Sequence, residues 1–248
     1  QGKLIGFQHA GLAFLDLRFF EDPRSYRLAT YPPPLPDLLA VNGAGPLNLL
    51  DEVGYPQDRR VTVEAVRYQF WGPYLDRGVK ESPASRAPEA DHRTLLVVTG
   101  YLASETSAQL RLLAQVAQKG GLAGYDRVLV KPHPDCPVNG ILKEVAPDLK
   151  VSVVQESLSD LWAQATVVYT ANSTSASVEA ALMGLPVLVH LVENSFNFSP
   201  LWGHSEVVHV ATVADLLQGL AYPKTAAVRN DYFCLEKGLP RWQALLRN

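Results

Sequence analysis

A regular alternation of apolar strands and helices between residues 94 and 222 constrains the fold of this chain more than any other feature. The strand segments read as continuous apolar runs, such as VLV, VSVV, TVVY and PVLV, and not as alternating apolar and polar residues. Continuous runs are typical of strands covered on both faces, and strand–helix alternation at this spacing indicates βαβ units. The pattern therefore predicts an α/β fold with a doubly wound, mostly parallel, Rossmann-like sheet.

The apolar runs and the helix start and stop signals set the element boundaries. Strands are predicted at Thr94–Thr99, Arg127–Lys131, Lys150–Val154, Thr166–Thr170, Pro186–His190 and Glu206–Val210. Helices are predicted at Glu105–Gln118, Gly140–Val145, Ser159–Ala165, Thr174–Met183 and Val213–Gln218. Ser157 with Asp160 resembles a capping box, and Gly184 followed by Pro186 is a usual helix stop.

Changes in composition divide the chain into four segments. Residues 94–222 are predicted to form the Rossmann-like domain, preceded by a linker at 80–93 that is polar and rich in Ala, Pro and Ser. Residues 1–79 hold short apolar pieces between prolines, and we interpret them as the remnant of a second, N-terminal domain. Residues 223–248 are predicted to be a C-terminal helical extension.

The bulk composition disfavours several classes of protein. Apolar residues make up 47%, which is normal for a globular core, and the net charge of −3 predicts no general attraction to nucleic acid or to an anionic membrane. No apolar run approaches the length of a membrane span, and the start shows no signal-peptide pattern. Cys136 and Cys234 lack CxxC spacing, so we expect no metal cluster and a reduced, cytoplasmic compartment.

Two polar turns follow predicted strands, and both carry groups suited to a phosphate. The KPHP turn covers residues 131–134, and the NSTS turn covers residues 172–175 and opens a helix. A helix start presents unpaired N–H groups and the positive end of the helix dipole, and ligands of open α/β sheets lie beyond the carboxyl ends of the strands. Together the two turns predict a nucleotide monophosphate or diphosphate ligand.

His133 is the candidate catalytic residue of the KPHP turn. Pro132 and Pro134 stiffen the backbone on both sides of it, so the imidazole is held at a fixed angle. A fixed imidazole can donate a hydrogen bond to a phosphate oxygen and steady a leaving phosphate. The alternative is a structural turn whose histidine caps a backbone carbonyl.

The NSTS turn and its surroundings supply the other candidate ligand contacts. The hydroxyls of the turn are expected to contact phosphate, although Ser, Thr and Asn are also ordinary N-caps. Glu179, further along the same helix, is expected to accept from ribose hydroxyls, the alternative being a solvent-facing acid. Gly100 follows the first strand, where a glycine lets the backbone approach a ligand closely. The predicted substrate-binding residues are Gly100, Lys131, His133, Asn172, Ser173, Thr174, Ser175 and Glu179.

His9 is a second candidate catalytic residue, because it ends a strand-like run between small residues and is open to a base or acceptor contact. The alternative is a histidine at a domain interface. His190, His204 and His209 are interpreted as structural, and no HxxxH or HxH spacing predicts a metal site. The chain also lacks GxGxxG, GxxxxGK[ST] and GxSxG, which disfavours a simple nicotinamide dinucleotide fold, a P-loop kinase and a nucleophile-elbow hydrolase.

In order and spacing, these motifs resemble those of GT-B glycosyltransferases of bacterial surface and capsular polysaccharide biosynthesis, in particular Kdo transferases, polysialyltransferases and CDP-glycerol glycerophosphotransferases. His133-Pro134 matches the His-Pro turn of that group, and residues 173–175 match its Ser/Thr pair at the start of a later helix. The segment Gln8-His9-Ala10-Gly11 matches a Gln-His-Gly or Trp-His-Gly turn, with Ala10 inserted. The resemblance covers residues 94–220 well and the earlier residues weakly.

The resemblance implies two Rossmann-like domains, of which the C-terminal donor domain binds a nucleotide-activated, CMP-linked sugar. His133 and residues 173–175 would contact the nucleotide phosphate. No metal or cofactor is implied, because positive groups and helix dipoles stabilise the departing phosphate instead. The implied partners are the nucleotide-sugar and a glycan or lipid-linked acceptor, with peripheral contact to inner-membrane assembly machinery and no nucleic acid.

The start of the chain adds an expectation about its completeness. The sequence begins with Gln1, and its only methionine is Met183. We therefore expect that most of the N-terminal domain, with the catalytic base and most of the acceptor site, precedes Gln1. On this interpretation, the isolated chain should bind nucleotide weakly and turn over poorly.

Two other functions remain open. Nucleotide-sugar 2-epimerases also have a GT-B fold and a His-Pro turn, but they typically show Ser-Gly-Gly where this chain has residues 173–175, and Glu-Arg-Pro-Glu where it has residues 192–195. The other alternative is a non-catalytic nucleotide-binding module that organises a polysaccharide complex.

Overall fold

The chain forms two compact units in a computed structural model. The structure describes residues 2–13, 15–19, 22, 24–27, 30, 34–71, 92–226, 228 and 231–247. Unit 1 comprises residues 1–76 with 229–248, and unit 2 comprises residues 77–228. The predicted linker at 80–93 lies outside the described residues except for its last two positions.

Unit 1 contains a three-stranded parallel sheet in the order β1-β2-β3. Its strands are β1 (Ile5–Gln8), β2 (Leu38–Val41) and β3 (Arg60–Thr62), and helix α1 (Ala44–Glu52) follows β2. Short 3-10 turns lie at Ser25–Arg27, Gln57–Arg59 and Val66–Trp71. One hydrophobic cluster of this unit contains Leu12, Leu39, Val41, Leu50 and Tyr55.

The C-terminal segment also belongs to unit 1, and a buried carboxylate fixes its helix. Glu64 is fully buried and accepts hydrogen bonds from the backbone N–H groups of Arg241 (3.0 Å) and Trp242 (3.1 Å). These N–H groups lie in the first turn of the last helix, Pro240–Arg247, where a negative charge is stabilised by the helix dipole. The Glu64 carbonyl also accepts from the indole N–H of Trp242 at 2.8 Å.

Unit 2 contains a six-stranded parallel sheet. Its strands are β4 (Thr94–Val98), β5 (Arg127–Lys131), β6 (Ser152–Val153), β7 (Val167–Thr170), β8 (Val187–His190) and β9 (Val208–Val210). The spatial order is β6-β5-β4-β7-β8-β9. The strands therefore follow the Rossmann order 3-2-1-4-5-6, with its switch point between β4 and β7. This topology confirms the predicted doubly wound parallel sheet.

The helices of unit 2 are α2 (Ala103–Gln118), α3 (Asn139–Val145), α4 (Leu158–Trp162), α5 (Ala176–Leu182) and α6 (Val213–Ala221), so the terminal helix of unit 1 is α7. Ser157 caps α4 by accepting from the Asp160 N–H, which is one of the two bonds of the predicted capping box, and the Asp160 carboxylate accepts from the Ser157 hydroxyl at 2.6 Å. Gly184, with φ of 73°, ends the turn after α5 in the left-handed conformation that glycine tolerates. Each predicted helix of this region is present, with shifted ends.

The core of unit 2 explains the continuous apolar runs. All five residues of β4 are buried, and so are all four residues of β7 and of β8. Strand residues such as Val97 and Val130 belong to one hydrophobic cluster with Leu110 and Leu113 of α2 and Leu216 of α6. Covering each central strand on both faces removes the polar alternation that a half-exposed strand would show.

Candidate functional site

Three loops of unit 2 meet at the carboxyl edge of the sheet. Strands β5, β4 and β7 are adjacent and parallel, so their carboxyl ends point to the same edge. The loops that leave them cover residues 99–102, 132–138 and 171–175, and they contain the predicted KPHP and NSTS turns. The loops after β4 and β7 flank the switch point of the sheet, which is where open α/β sheets bind ligands.

The loop with His133 is joined to the loop after β4. The His133 N–H donates to the Thr99 hydroxyl at 3.3 Å, and the Thr99 N–H donates to the Lys131 carbonyl at 3.2 Å. The Tyr101 ring lies edge-on to the imidazole, with 6.1 Å between ring centroids. The side chain of His133 is 37% exposed, so the imidazole lies at the surface of this edge and not in the core.

The hydrogen bonds of His133 determine which ring nitrogen can donate. Its Nδ1 accepts from the Asp135 N–H at 3.2 Å, and it lies 3.7 Å from an Asp135 carboxylate oxygen. Because Nδ1 accepts in this arrangement, the neutral ring carries its proton on Nε2. The imidazole therefore offers an Nε2–H donor.

The loop after β7 is joined to the start of α2 by Glu105. This carboxylate is 7% exposed, and it accepts from the Asn172 N–H at 2.7 Å and from the Ser173 hydroxyl at 3.4 Å. Gly100 lies directly beside this contact, since a Cβ at that position would come 2.6 Å from a Glu105 oxygen and 3.2 Å from the Ala171 Cβ. The packing of these two loops is therefore a sufficient reason for a glycine at position 100.

The first turn of α2 also contacts the loops that follow β4 and β5. The Thr106 hydroxyl donates to the Gly100 carbonyl at 3.2 Å, and the Cys136 thiol lies 3.7 Å from the same hydroxyl. The N-cap residue Leu102 has no side-chain hydrogen bond to the helix. Residues 101–104 are exposed, so the beginning of this 16-residue helix faces the space beside both polar turns.

The NSTS turn divides into two halves with different hydrogen bonds. Asn172 and Ser173 donate to Glu105, whereas the Thr174 hydroxyl accepts from the Ala176 N–H at 3.2 Å. Helix α5 begins at Ala176, two residues later than predicted, and its N-cap Ser175 makes no side-chain cap bond. A hydroxyl that accepts one hydrogen bond still has its own proton to donate. Thr174 and Ser175 are therefore the better donors of this turn.

The remaining predicted residues lie in three different environments. The Lys131 amine donates to the Gln155 carbonyl at 3.0 Å. Glu179 is 6% exposed and is held by contacts within the fold. His9 belongs to unit 1, where it is exposed beyond β1, and the adjacent Ala10 carbonyl accepts from the Asn42 amide at 3.1 Å.

His190 lies at the carboxyl end of β8 but is buried. Its Nδ1 is 2.9 Å from the Tyr169 hydroxyl, and its side chain is part of the interior. Burial lowers the pKa of His190 to about 4 and raises the pKa of Tyr169. Burial also lowers the pKa values of His204 and His209.

Sequence reasoning missed Thr99, Tyr101, Glu105 and Thr106 as members of this edge. An acid in the first turn of a helix is usually read as a partner of the helix dipole, and that reading hid the role of Glu105 as an anchor for another loop. The register of β4 against β7 brings these residues together, and the register is a property of the folded sheet.

A cleft of about 490 Å³ in unit 2 lies away from these loops, beside the amino ends of β5 and β6. It is lined by the ends of α2 and α3 and includes Leu122, Tyr125, Val128, Leu149 and Lys150. None of the predicted site residues lines this cleft. Its walls are mainly aliphatic, so the chemistry of the carboxyl edge is the better guide to a phosphate ligand.

Within the described residues, no helix is long and apolar enough to cross a bilayer. The same residues contain no group of three or more His, Cys, Asp or Glu side chains arranged to hold a metal ion.

Solved structures with the same fold include nucleotide-sugar enzymes. UDP-GlcNAc 2-epimerase from Neisseria meningitidis, bound to UDP-GlcNAc, matches with a TM-score of 0.60 and 14% identity over 97% of this chain and 69% of that chain. UDP-GlcNAc 2-epimerase from Methanocaldococcus jannaschii, in complex with UDP-GlcNAc and UDP, matches with a TM-score of 0.58 and 13% identity over 86% of this chain and 62% of that chain. A UGT protein of Arabidopsis thaliana complexed with UDP-L-rhamnose matches with a TM-score of 0.52 and 18% identity over 98% of this chain and 62% of that chain.

These likenesses define the class of fold. The chain has the Rossmann-like α/β fold of GT-B proteins. It spans 62% and 69% of the length of the two epimerases. No family model and no curated protein sequence matches the chain.

Proposed function

We propose that this chain is the donor-binding part of a glycosyltransferase of surface polysaccharide biosynthesis. It binds a nucleotide-activated sugar at the carboxyl edge of unit 2, and the sugar is transferred to a glycan or lipid-linked acceptor. The observation that carries the proposal is that the KPHP and NSTS loops follow the two strands beside β4 and are each hydrogen-bonded to the segment that follows β4. On this proposal, His133 Nε2, the Thr174 hydroxyl and the Ser175 hydroxyl grip one phosphate between them.

The charged residues of the three loops favour a ligand whose phosphate group carries a single negative charge. Residues 99–105, 132–138 and 171–175 include the carboxylates Glu105 and Asp135 and contain no Lys or Arg, and the amine of Lys131, at the end of β5, donates to the Gln155 carbonyl. A diphosphate would bring two negative charges next to these carboxylates, whereas the phosphodiester of a CMP-linked sugar brings one. Coulomb repulsion from these two carboxylates favours the ligand that carries a single negative charge. The charge balance thus agrees with the CMP-sugar that the sequence resemblance implies.

The donors of this edge would act on the departing nucleotide. As the bond from the sugar to the phosphate breaks, negative charge grows on the phosphate oxygen. A fixed Nε2–H and two hydroxyls aimed at that oxygen stabilise the charge without reorganising, which is the usual basis of metal-free phosphate departure. The reaction also needs a base that takes the proton of the acceptor hydroxyl, and none of these three donors is assigned that role.

Replacing His133 tests this proposal. The change His133→Ala should weaken CMP binding by roughly 1.5–3 kcal/mol, because it removes a hydrogen bond to a charged group. Isothermal titration of the wild type, the variant and the control His92→Ala with CMP gives the comparison. His92 is exposed at the start of β4, so its loss should leave the affinity unchanged. Equal affinities for all three proteins would contradict the proposal.

Epimerisation of a nucleotide sugar is the second candidate, because UDP-GlcNAc 2-epimerases share the fold. Product analysis distinguishes the two reactions, since an epimerase changes the sugar in the absence of any acceptor. Failure to bind CMP, CDP or UDP would instead favour a non-catalytic module.

A further inference from the structure

Glu105 makes the strongest contact between the start of α2 and the NSTS turn. Its carboxylate is 7% exposed, its Oε1 is 2.7 Å from the Asn172 nitrogen, and its Oε2 is 3.4 Å from the Ser173 hydroxyl. Both contacts use the carboxylate as an acceptor, which is the pattern that an ionised carboxylate satisfies. Glu105 therefore already occupies two donors that a phosphate would otherwise bind.

The contact with Glu105 changes what Ser173 can offer to a ligand. A serine hydroxyl has one proton, and a hydrogen bond to the Glu105 carboxylate, 3.4 Å away, uses this proton. Ser173 then presents only lone pairs to the outside, so it can accept from a ligand hydroxyl but cannot donate to a phosphate oxygen. The neighbouring Thr174 and Ser175 have hydroxyl protons that are not used in this way.

We infer that Glu105 is a positioning residue that determines ligand specificity at this edge, and this inference rests on the proposed function. Its carboxylate holds the NSTS turn, directs the phosphate to His133, Thr174 and Ser175, and limits the negative charge that the ligand can carry. The ligand class is a nucleoside phosphodiester with a single negative charge. We expect a hydroxyl group of the ligand to donate a hydrogen bond to the Ser173 hydroxyl oxygen.

The charge of the ligand provides the test. Cytidine, cytidine 5′-methyl phosphate and CMP carry zero, one and nearly two negative charges at pH 8, because the second phosphate pKa is about 6. The variant Glu105→Gln keeps the size of the side chain and removes its charge. Its affinity should rise by about fivefold for each negative charge on the ligand and stay unchanged for cytidine. The control Glu144→Gln, at an exposed acid of α3, should change none of the three affinities.

The outcomes separate this inference from the proposed function. If the wild-type chain binds none of the three ligands, both ideas fail. If the wild type binds CMP but Glu105→Gln shifts all three affinities equally, or none of them, only the role of Glu105 is overturned. An effect that grows with ligand charge is not expected from a purely structural residue.

A second pair of variants keeps the inference testable if Glu105→Gln does not fold. Ser173→Ala should change CMP affinity by less than about twofold, because its proton does not reach the phosphate, whereas Thr174→Ala should lower it by about tenfold. Equal losses in the two variants would show that Ser173 donates to the phosphate, and this result would overturn the inference.

Discussion

The two edges of the six-stranded sheet use their polar groups differently. At the amino edge, reciprocal hydrogen bonds join neighbouring strands, whereas at the carboxyl edge the loops present hydrogen-bond donors that have no acceptor within the loops. The Thr94 N–H donates to the Thr166 hydroxyl at 3.0 Å, and that hydroxyl donates to the Thr94 carbonyl at 2.9 Å. Arg127 adds a bond to the Thr94 hydroxyl at 3.1 Å. These bonds join the ends of neighbouring strands, and Thr94 is fully buried, so its polar groups are not open to a ligand.

The carboxyl edge uses its polar groups in another way. Thr99, Glu105 and Thr106 bind loop to loop, and each holds a neighbour in place. The loops after β5 and β7 carry His133 Nε2 and the hydroxyls of Thr174 and Ser175, and these groups keep a proton to donate. The number of polar residues at an edge of the sheet therefore does not identify a ligand-binding site. A site is marked by donors that remain after the local hydrogen bonds have been counted.

The largest expected effect concerns His190, a carboxyl-edge residue that belongs to the interior. Its pKa is lowered to about 4 by burial, while an unfolded histidine titrates near 6.5. The unfolded chain therefore binds more protons between these pH values, and stability falls as the pH is lowered from 6.5 towards 4. The loss reaches about 3 kcal/mol in full. Denaturant unfolding of wild type and His190→Gln across this pH range measures it.

The difference between the two proteins isolates His190, since His204 and His209 act in the same direction in both. If the free energy of unfolding changes with pH in the same way in the wild type and the variant, His190 is not the cause of the loss of stability at low pH.

The next effect tests the amino edge. The change Thr166→Val removes the acceptor of the buried Thr94 N–H and should lower the free energy of unfolding by about 2 kcal/mol. Nucleotide affinity should not change, because the proposed ligand binds at the opposite edge of the sheet. Thr166→Ser keeps the hydroxyl and serves as the control. A loss of CMP binding in folded Thr166→Val protein would break the distinction between the two edges.

A smaller effect is expected at Thr174, on the carboxyl edge. Thr174→Ala should reduce CMP affinity by about tenfold through the loss of a donor to a charged phosphate. Its midpoint of thermal unfolding should move less than that of Thr166→Val, because the hydroxyl accepts a single N–H bond at a half-buried position. Titration and thermal melting of the same samples compare binding with stability. The opposite pattern would assign the hydroxyl to the fold.

The smallest effect belongs to Asp135. Its side chain is 85% exposed, and its carboxylate lies 3.7 Å from the imidazole of His133. Removing its charge in Asp135→Asn should raise CMP affinity by less than about twofold at low salt, and the difference should vanish at high salt through screening. The backbone N–H that binds Nδ1 is retained in the variant. A large, salt-independent change would mean that the carboxylate orients the imidazole itself.

The sheet and its loops could be predicted from the sequence because strands that are buried on both faces are continuous runs of apolar residues. Strand β5, Arg127–Lys131, was predicted with its observed bounds, and the other five predicted strands of unit 2 are present but shorter than predicted. A strand covered on both faces must be apolar along its length, so the pattern reports its presence. The start of α2 was placed at Glu105, whereas the helix begins at Ala103, because Leu102 gives no capping signal. The full capping box of α6, between Thr212 and Asp215, was also not predicted.

The candidate site could be predicted in its loops but not in its internal bonds. The KPHP and NSTS turns were found because strand ends precede them. Which hydroxyls of the NSTS turn are free depends on Glu105, 67 residues earlier in the chain than Asn172. That contact follows from the register of β4 and β7, and no local pattern reports it. Long-range hydrogen bonds therefore set the part of the site that sequence reasoning could not reach.

The proposed phosphate site is tested most directly by the footprint of CMP in two-dimensional NMR spectra of the isotope-labelled chain. We expect titration to shift the amide signals of Gly100, His133, Thr174 and Ser175 together, with one common dissociation constant. Signals of Tyr125 and Leu149 beside the aliphatic cleft should not move. Shifts confined to that cleft, or no shifts at the loops after β5 and β7, would contradict the claim that these two loops grip one phosphate.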